Sequence, residues 1–158
     1  MHIFIDQSPR IEDWTDHSVI AFSNSQNNAV IITSQLKREA KALLEARRVH
    51  KKSIKWILFA AGIYLAIKDH TKHITHITID ADFDRKTNTQ IATWVMQKLT
   101  RYWREQKLSP RFAVDAFSFE SIKRKNYAHV LAYSIFTGAM KPKEDIRVKR
   151  RALLKLLK

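Results

Sequence analysis

The sequence contains no cysteine and only two glycines among its 158 residues. The absence of cysteine excludes disulfide bonds, thiolate zinc sites and thiol nucleophiles. The isolated Gly62 and Gly138 cannot form a glycine-rich phosphate-binding loop, which excludes nucleotide-binding enzymes of that type. The longest apolar run, residues 56–67, is shorter than the about 20 residues of a membrane-spanning helix. Because the opening residues also lack the pattern of a signal peptide, we expect a cytoplasmic protein with no membrane partner.

Acidic residues are scarce relative to basic ones. Lysine and arginine total 29 against 15 aspartates and glutamates, which gives a net charge of +14 and an isoelectric point near 10.2. An excess of this size repels itself, and phosphate groups are its most common counterpart. The composition therefore predicts a nucleic-acid partner, DNA or RNA. Docking on an acidic protein is the alternative.

Hydrophobic periodicity predicts a single α/β domain. Predicted strands cover residues 2–6, 17–23, 29–33, 73–80 and 111–118, with a polar turn over residues 24–28. Predicted helices begin at Ser34, as N-cap, and cover residues 53–69, 87–107 and 121–140, the third opened by a capping box at Thr87. This order predicts a mixed five-stranded sheet, an antiparallel meander followed by parallel strands, flanked by helices, with the first and fourth strands parallel neighbours. Residues 1–140 form the predicted domain. Residues 141–158 form a basic amphipathic helix packed on that domain or on a second subunit of a homodimer.

Two aspartates end apolar strands that the topology predicts to be neighbours. Asp6 follows Ile-Phe-Ile, and Asp80 follows Ile-Thr-Ile. Ligands of open α/β sheets bind at the carboxyl ends of strands, and paired strands lie ~4.8 Å apart. Carboxylates this close repel one another unless a cation lies between them. Asp6 and Asp80 are therefore the predicted ligands of Mg²⁺ or Mn²⁺, a metal that would serve phosphodiester hydrolysis. Asp82 would share the face of Asp80 if the strand extended that far.

Three short motifs carry a family resemblance. They are Ile5-Asp6-Gln7-Ser8, Glu120-Ser121-Ile122-Lys123, and the segment from Leu131 to Ala139, which ends in Thr-Gly-Ala. Together with the predicted strand order, they resemble the ribonuclease-H-like nuclease superfamily. The nearer likeness is to a branch of small domains that open Ile-Asp-Glu-Ser-Gly and end with Asp-Ser-Lys before a helix reading Leu-Ala-Asp-x-x-Ala-Gly-Ala. The resemblance implies a metal-dependent nuclease fold.

The chain also departs from the pattern of that branch. Gln7 stands where the branch has glutamate, and Tyr133 and Ser134 stand where it has aspartate. Glu120 and His129 are the residues best suited to complete the catalytic set, since a neutral imidazole can bind metal or move a proton. The sequence thus predicts a nuclease with Asp6, Asp80, Asp82, Glu120 and His129 as candidate catalytic residues. It leaves open a non-catalytic nucleic-acid-binding module on the same fold, or a basic assembly protein.

Overall fold

The computed structural model describes residues 1–24, 28–142 and 144–158 of the chain. Its strands are β1 (His2–Ser8), β2 (Ser18–Ser23), β3 (Asn28–Ile32), β4 (His76–Asp80) and β5 (Phe117–Glu120). Its α-helices are α1 (Ser34–Ala46), α2 (Lys51–Ile67), α3 (Arg85–Glu105), α4 (Tyr127–Thr137) and α5 (Arg150–Leu157). The turn predicted between β2 and β3 includes residues 25–27, which lie outside the described residues.

The five strands form one mixed sheet in the order β3-β2-β1-β4-β5. β1, β2 and β3 pair antiparallel, as expected of a meander, whereas β1 pairs parallel with β4 and β4 pairs parallel with β5. The predicted five-stranded mixed sheet is therefore confirmed, and so is the parallel pairing of the strands that contain Asp6 and Asp80.

One face of the sheet carries the main hydrophobic core. Alternate residues of β1 and β4, Ile3, Ile5, Ile77 and Ile79, are completely buried on this face. They pack in one cluster with the apolar side chains of α2 and α3. Gly62 allows α2 to approach the sheet closely, because a Cβ atom built there would lie 2.0 Å from the Cδ1 atom of Ile20. The nearly continuous apolar pattern of α2 thus reflects burial against β2 and β3 on one side and α1 and α3 on others.

Helix α4 lies on the opposite face of the sheet. It packs on β1 and β2, where Leu131, Ala132 and Ile135 form a second, smaller cluster with Val19 and Ala21. Asp6 and Asp80 lie on the same side of the sheet as α4, since they alternate with the isoleucines of the main core. This arrangement places the residues of α4 over the end of β1.

Helix ends differ from their predicted positions because polar side chains outside the periodic segments cap them. Asp84 caps α3 by accepting a hydrogen bond from the Thr87 backbone N–H at 2.7 Å, so the predicted capping box at Thr87 is wrong. Thr33 rather than Ser34 caps α1. α4 is shorter than residues 121–140, because Asn126 caps its start and Gly138, with φ of +80°, ends it.

The predicted position of the fifth strand is also wrong. Residues 114–116 form a 3₁₀ turn, and the strand begins only at Phe117. The preceding Phe112 packs edge-on against Trp103 with 5.2 Å between ring centroids, so its apolar character reflects contact with α3. The later start brings Glu120 level with Asp80 in the pairing of β4 and β5.

The C-terminal segment returns to the domain. Ile146 and Val148 exchange backbone hydrogen bonds with Ile31 of β3, at 2.9 and 2.8 Å. Helix α5 then buries Leu153 and Leu157 in the main core, next to α1. In the part of the chain that the structure describes, no helix is both long and apolar enough to cross a membrane.

Candidate metal centre

Three carboxylates converge where the parallel strands β1 and β4 end. One oxygen of each of Asp6, Asp80 and Asp82 lies within 4.8 Å of the others. Asp6 is almost completely buried, and the other two side chains are partly exposed, so the cluster opens to solvent on one side. Carboxylate oxygens are the donors that Mg²⁺ and similar hard cations prefer. The cluster could therefore hold a metal ion.

Asp6 is fixed by donors on both oxygens. The backbone N–H of Gln7 donates to Oδ1 at 2.8 Å, and Nδ1 of His129 lies 2.7 Å from Oδ2. Burial raises the pKa of the Asp6 carboxyl, while these two hydrogen bonds act in the opposite direction. His129 reaches Asp6 from α4, across 123 residues of sequence. The structure thus places two of the predicted catalytic residues in direct contact.

Asp80 is the most strongly perturbed carboxyl of the cluster. Its Oδ1 accepts a hydrogen bond of 2.7 Å from the backbone N–H of Ile122, in the loop between β5 and α4. Burial, and then the charges of Asp82 and Asp6, raise its pKa to about 6. Burial and the two neighbouring carboxylates therefore make ionisation of Asp80 less favourable than it is in water.

Asp82 joins the cluster by a different route from the one expected. β4 ends at Asp80, so Asp82 lies in the turn that follows and not on the same strand face. The side-chain amide of Gln7 donates to Asp82 Oδ2 at 2.9 Å, and Nη2 of Arg10 lies 3.5 Å from Oδ1. Gln7 also accepts a hydrogen bond from the backbone N–H of Ile11 at 3.0 Å. Gln7 and Arg10 therefore hold the third carboxylate, a role that the sequence reasoning missed.

The glutamates do not join the cluster. Glu120 is exposed and lies opposite Asp80 in the strand pairing, where its backbone oxygen accepts a hydrogen bond from the N–H of Ala81. Among the described residues, only the three aspartates form a group with the spacing of a metal site. Glu39 on α1 pairs with Arg150, and Glu45 pairs with Lys41. Neither helical glutamate is therefore placed as a fourth acidic ligand.

Exposed cations lie on the loops at the end of the sheet that carries the carboxylates. The loops that follow β1, β4 and β5 all emerge at the end of the sheet where the carboxylates lie. Among them, these loops and the first turn of α3 carry Arg10, Arg85, Lys86, Lys123, Arg124 and Lys125, all exposed. Within the described ranges, Arg10 is the one of the six that forms an ion pair, with Asp82. The other five are available to a ligand that carries phosphates.

Comparison with known proteins adds no relative. No protein-family model, curated protein or solved structure matches the chain. The likeness to ribonuclease-H-like nucleases thus rests on the motifs quoted above, and the function has to be argued from the geometry of the site.

Proposed function

We propose that this protein is a metal-dependent nuclease of the ribonuclease-H-like kind, which hydrolyses phosphodiester bonds of DNA or RNA. The supporting observation is the combination of three convergent carboxylates with exposed cations on the loops that emerge at the same end of the sheet. Cations on the loops would hold the phosphates on either side of the bond, while the carboxylates hold the metal.

The residues of the proposed site are of two kinds, metal ligands and residues that position the ligands. Asp6 and Asp80 would hold Mg²⁺ or Mn²⁺, with Asp82 as the third oxygen donor. Such a metal supplies an activated water and stabilises the leaving oxygen. His129 holds Asp6 in place through the contact at 2.7 Å and lies where it could move a proton at the edge of the site. Glu120, exposed beside Asp80, is the residue best placed to approach the substrate from β5.

One observation favours a second candidate, a nucleic-acid-binding module without catalysis. Gln7 donates to Asp82, and Arg10 lies 3.5 Å from its other oxygen. Both contacts use oxygens that a metal would need, and an arginine charge at the cluster opposes the binding of a cation. In this alternative the loop cations bind nucleic acid, and the carboxylates are a structural remnant.

Cleavage assays separate the two functions. Labelled single- and double-stranded DNA and RNA are incubated with wild-type protein in Mg²⁺ or Mn²⁺, beside Asp6→Asn and Asp80→Asn. If the protein is a nuclease, each substitution should abolish metal-dependent cleavage and leave nucleic-acid binding intact. Asp115→Asn, which removes an exposed carboxylate in the turn before β5, serves as the matched control. Wild-type protein that binds nucleic acid but cuts nothing and binds no divalent ion would establish the second candidate.

Salt titration tests the nucleic-acid partner itself. Affinity for duplex DNA should fall with salt with a log–log slope near −0.9 for each phosphate neutralised. Replacing Lys123, Arg124 and Lys125 by glutamine should weaken binding and make that slope shallower by about two to three units. Equal charge removal at Lys72, Arg104 and Arg111, exposed cations at the other end of the sheet, is the control. Binding that does not respond to salt would favour an acidic protein as the partner.

A further inference from the structure

Helix α4 presents an apolar face to solvent. Its buried face, formed by Ala128, Leu131, Ala132 and Ile135, packs on the sheet. On the opposite face Tyr127, Val130 and Tyr133 are 70%, 44% and 55% exposed. These three residues are called the α4 platform below. Contiguous exposed apolar side chains often mark an interaction site, whereas isolated ones are ordinary features of a protein surface.

His129 connects the α4 platform to the carboxylate cluster. The ring of Tyr133 lies nearly parallel to the ring of His129, with 8° between the planes and 6.3 Å between the centroids. His129 in turn contacts Asp6. A ligand that lies on Tyr133 is therefore two side chains away from the candidate metal ligands.

The charge next to the platform identifies the kind of ligand. Lys123, Arg124 and Lys125 lie in the loop that leads into α4, and all three are exposed. In the described part of the chain none of them forms an ion pair with a carboxylate. A ligand that satisfies both surfaces carries apolar groups that can lie on the tyrosine rings and negative charges that can pair with the loop. Nucleic acid has both, and aromatic side chains stack on its bases when the bases are unpaired.

We infer that the α4 platform, together with the loop of Lys123, Arg124 and Lys125, binds single-stranded nucleic acid. Bases stack on Tyr127 and Tyr133, and phosphates lie against the loop. The faces of the bases are covered by their neighbours in a duplex, so duplex DNA or RNA cannot use the tyrosines in this way. This inference rests on the proposed function and adds the substrate class, which is unpaired strands. A strand bound along α4 would extend to the carboxylates.

Binding without metal tests the inference. Fluorescence anisotropy in EDTA compares labelled single strands of DNA and of RNA with a duplex of equal length. The wild type should bind the single strands more tightly at the same salt concentration. Tyr127→Leu and Tyr133→Leu should each weaken single-strand binding by about tenfold and leave duplex binding unchanged, since each substitution removes a ring on which a base stacks. Tyr133→Phe, which keeps the ring, should bind as the wild type does. Leu108→Ala, at an exposed apolar residue after α3, is the control.

The outcomes separate this inference from the proposed function. Equal affinity for single strands and duplex overturns the platform, as does a Tyr133→Leu variant that folds normally and binds single strands unchanged. Loss of binding to anionic lipid vesicles in the tyrosine variants, with nucleic-acid binding unaltered, also overturns it. Single-strand binding that depends on the tyrosines but occurs without any cleavage supports the platform and refutes the nuclease. Cleavage of single strands at subsaturating concentration that is the same in the wild type and in the tyrosine variants supports the nuclease and refutes the platform.

Discussion

Asp80→Asn should stabilise the metal-free protein at neutral and alkaline pH. The substitution removes one of three mutually repelling charges at the end of β4, and it preserves an oxygen that can accept the hydrogen bond from Ile122. Because the folded state holds a partly buried carboxylate near Asp6 and Asp82, ionisation of Asp80 costs more in the folded state than in the unfolded one.

The magnitude follows from the pKa of Asp80. A rise from 3.8 to about 6 corresponds to roughly two pKa units, or about 3 kcal/mol at 1.36 kcal/mol per unit. The side chain is partly exposed, so solvent screening reduces this to about 1–2 kcal/mol. Between pH 4 and pH 6 the folded protein binds a proton that the unfolded chain has released, and wild-type stability therefore falls as the pH rises through this window. The advantage of Asp80→Asn should be full above pH 6 and should disappear near pH 4.

Thermal unfolding in EDTA at pH 4, 5, 6 and 8 measures the effect. For a chain of this length 1 kcal/mol corresponds to about 2–4 °C, so Asp80→Asn should raise the melting temperature by about 2–8 °C at pH 8. Asp115→Asn makes the same charge change at an exposed position and controls for the net charge of +14. Mg²⁺ or Mn²⁺ at ten times its dissociation constant should stabilise the wild type by about 1.4 kcal/mol. Asp80→Asn should gain less. The reasoning would be refuted if Asp80→Asn had a lower melting temperature than the wild type at pH 8, or if its melting temperature rose no more than that of Asp115→Asn.

Three further substitutions test the fold. Lys37 is completely buried and donates to Ser18 and to the backbone oxygen of Asp13, and burial lowers its pKa from 10.5 to about 8. The unfolded chain keeps this proton between pH 8 and 10.5, so wild-type stability in urea should rise by about 3 kcal/mol across that window relative to Lys37→Met. Gly62→Ala should lower the free energy of unfolding by about 1–3 kcal/mol in urea titrations, because the new methyl group meets buried Ile20; an unchanged midpoint would mean that α2 moves freely. Asp84→Ala should cost about 1 kcal/mol in the same titration through loss of the α3 cap, and Asp84→Asn should restore most of it.

The strand pairing and the convergence of Asp6 and Asp80 could be predicted because the sequence signals for them are local and additive. Apolar alternation locates β1 and β4, and the right-handed crossover rule makes them parallel neighbours, so Asp6 and Asp80 meet whatever the loops do. Asp82 joins Asp6 and Asp80 for a reason that the alternation of apolar residues along β4 does not predict. A turn directly after β4, with a hydrogen bond from the Asp82 N–H to the Asp80 carbonyl at 3.0 Å, brings its carboxylate back to Gln7.

The contribution of Gln7 could not be predicted from strand periodicity. Gln7 follows Asp6 on β1, so its side chain starts on the opposite face of the sheet. Its amide reaches Asp82 because β4 ends two residues earlier than β1 does, which leaves the end of β1 open to the loop after β4. The position of β5 was missed for a similar reason, since Phe112 packs on α3 rather than in a strand. Contacts between elements decide both cases.

The donors around the three carboxylates leave the cluster able to hold a cation. The chain has 29 basic residues, yet among the described residues Arg10, beside Asp82, is the only lysine or arginine that pairs with one of the three aspartates. Backbone N–H groups and the His129 imidazole contact the oxygens of Asp6 and Asp80. Neighbouring cations stay on the exposed loops, where only Arg10 among the six reaches a carboxylate in the described part of the chain. A site that keeps its charges close together and positioned is destabilised when empty, and a divalent cation would recover that energy on binding.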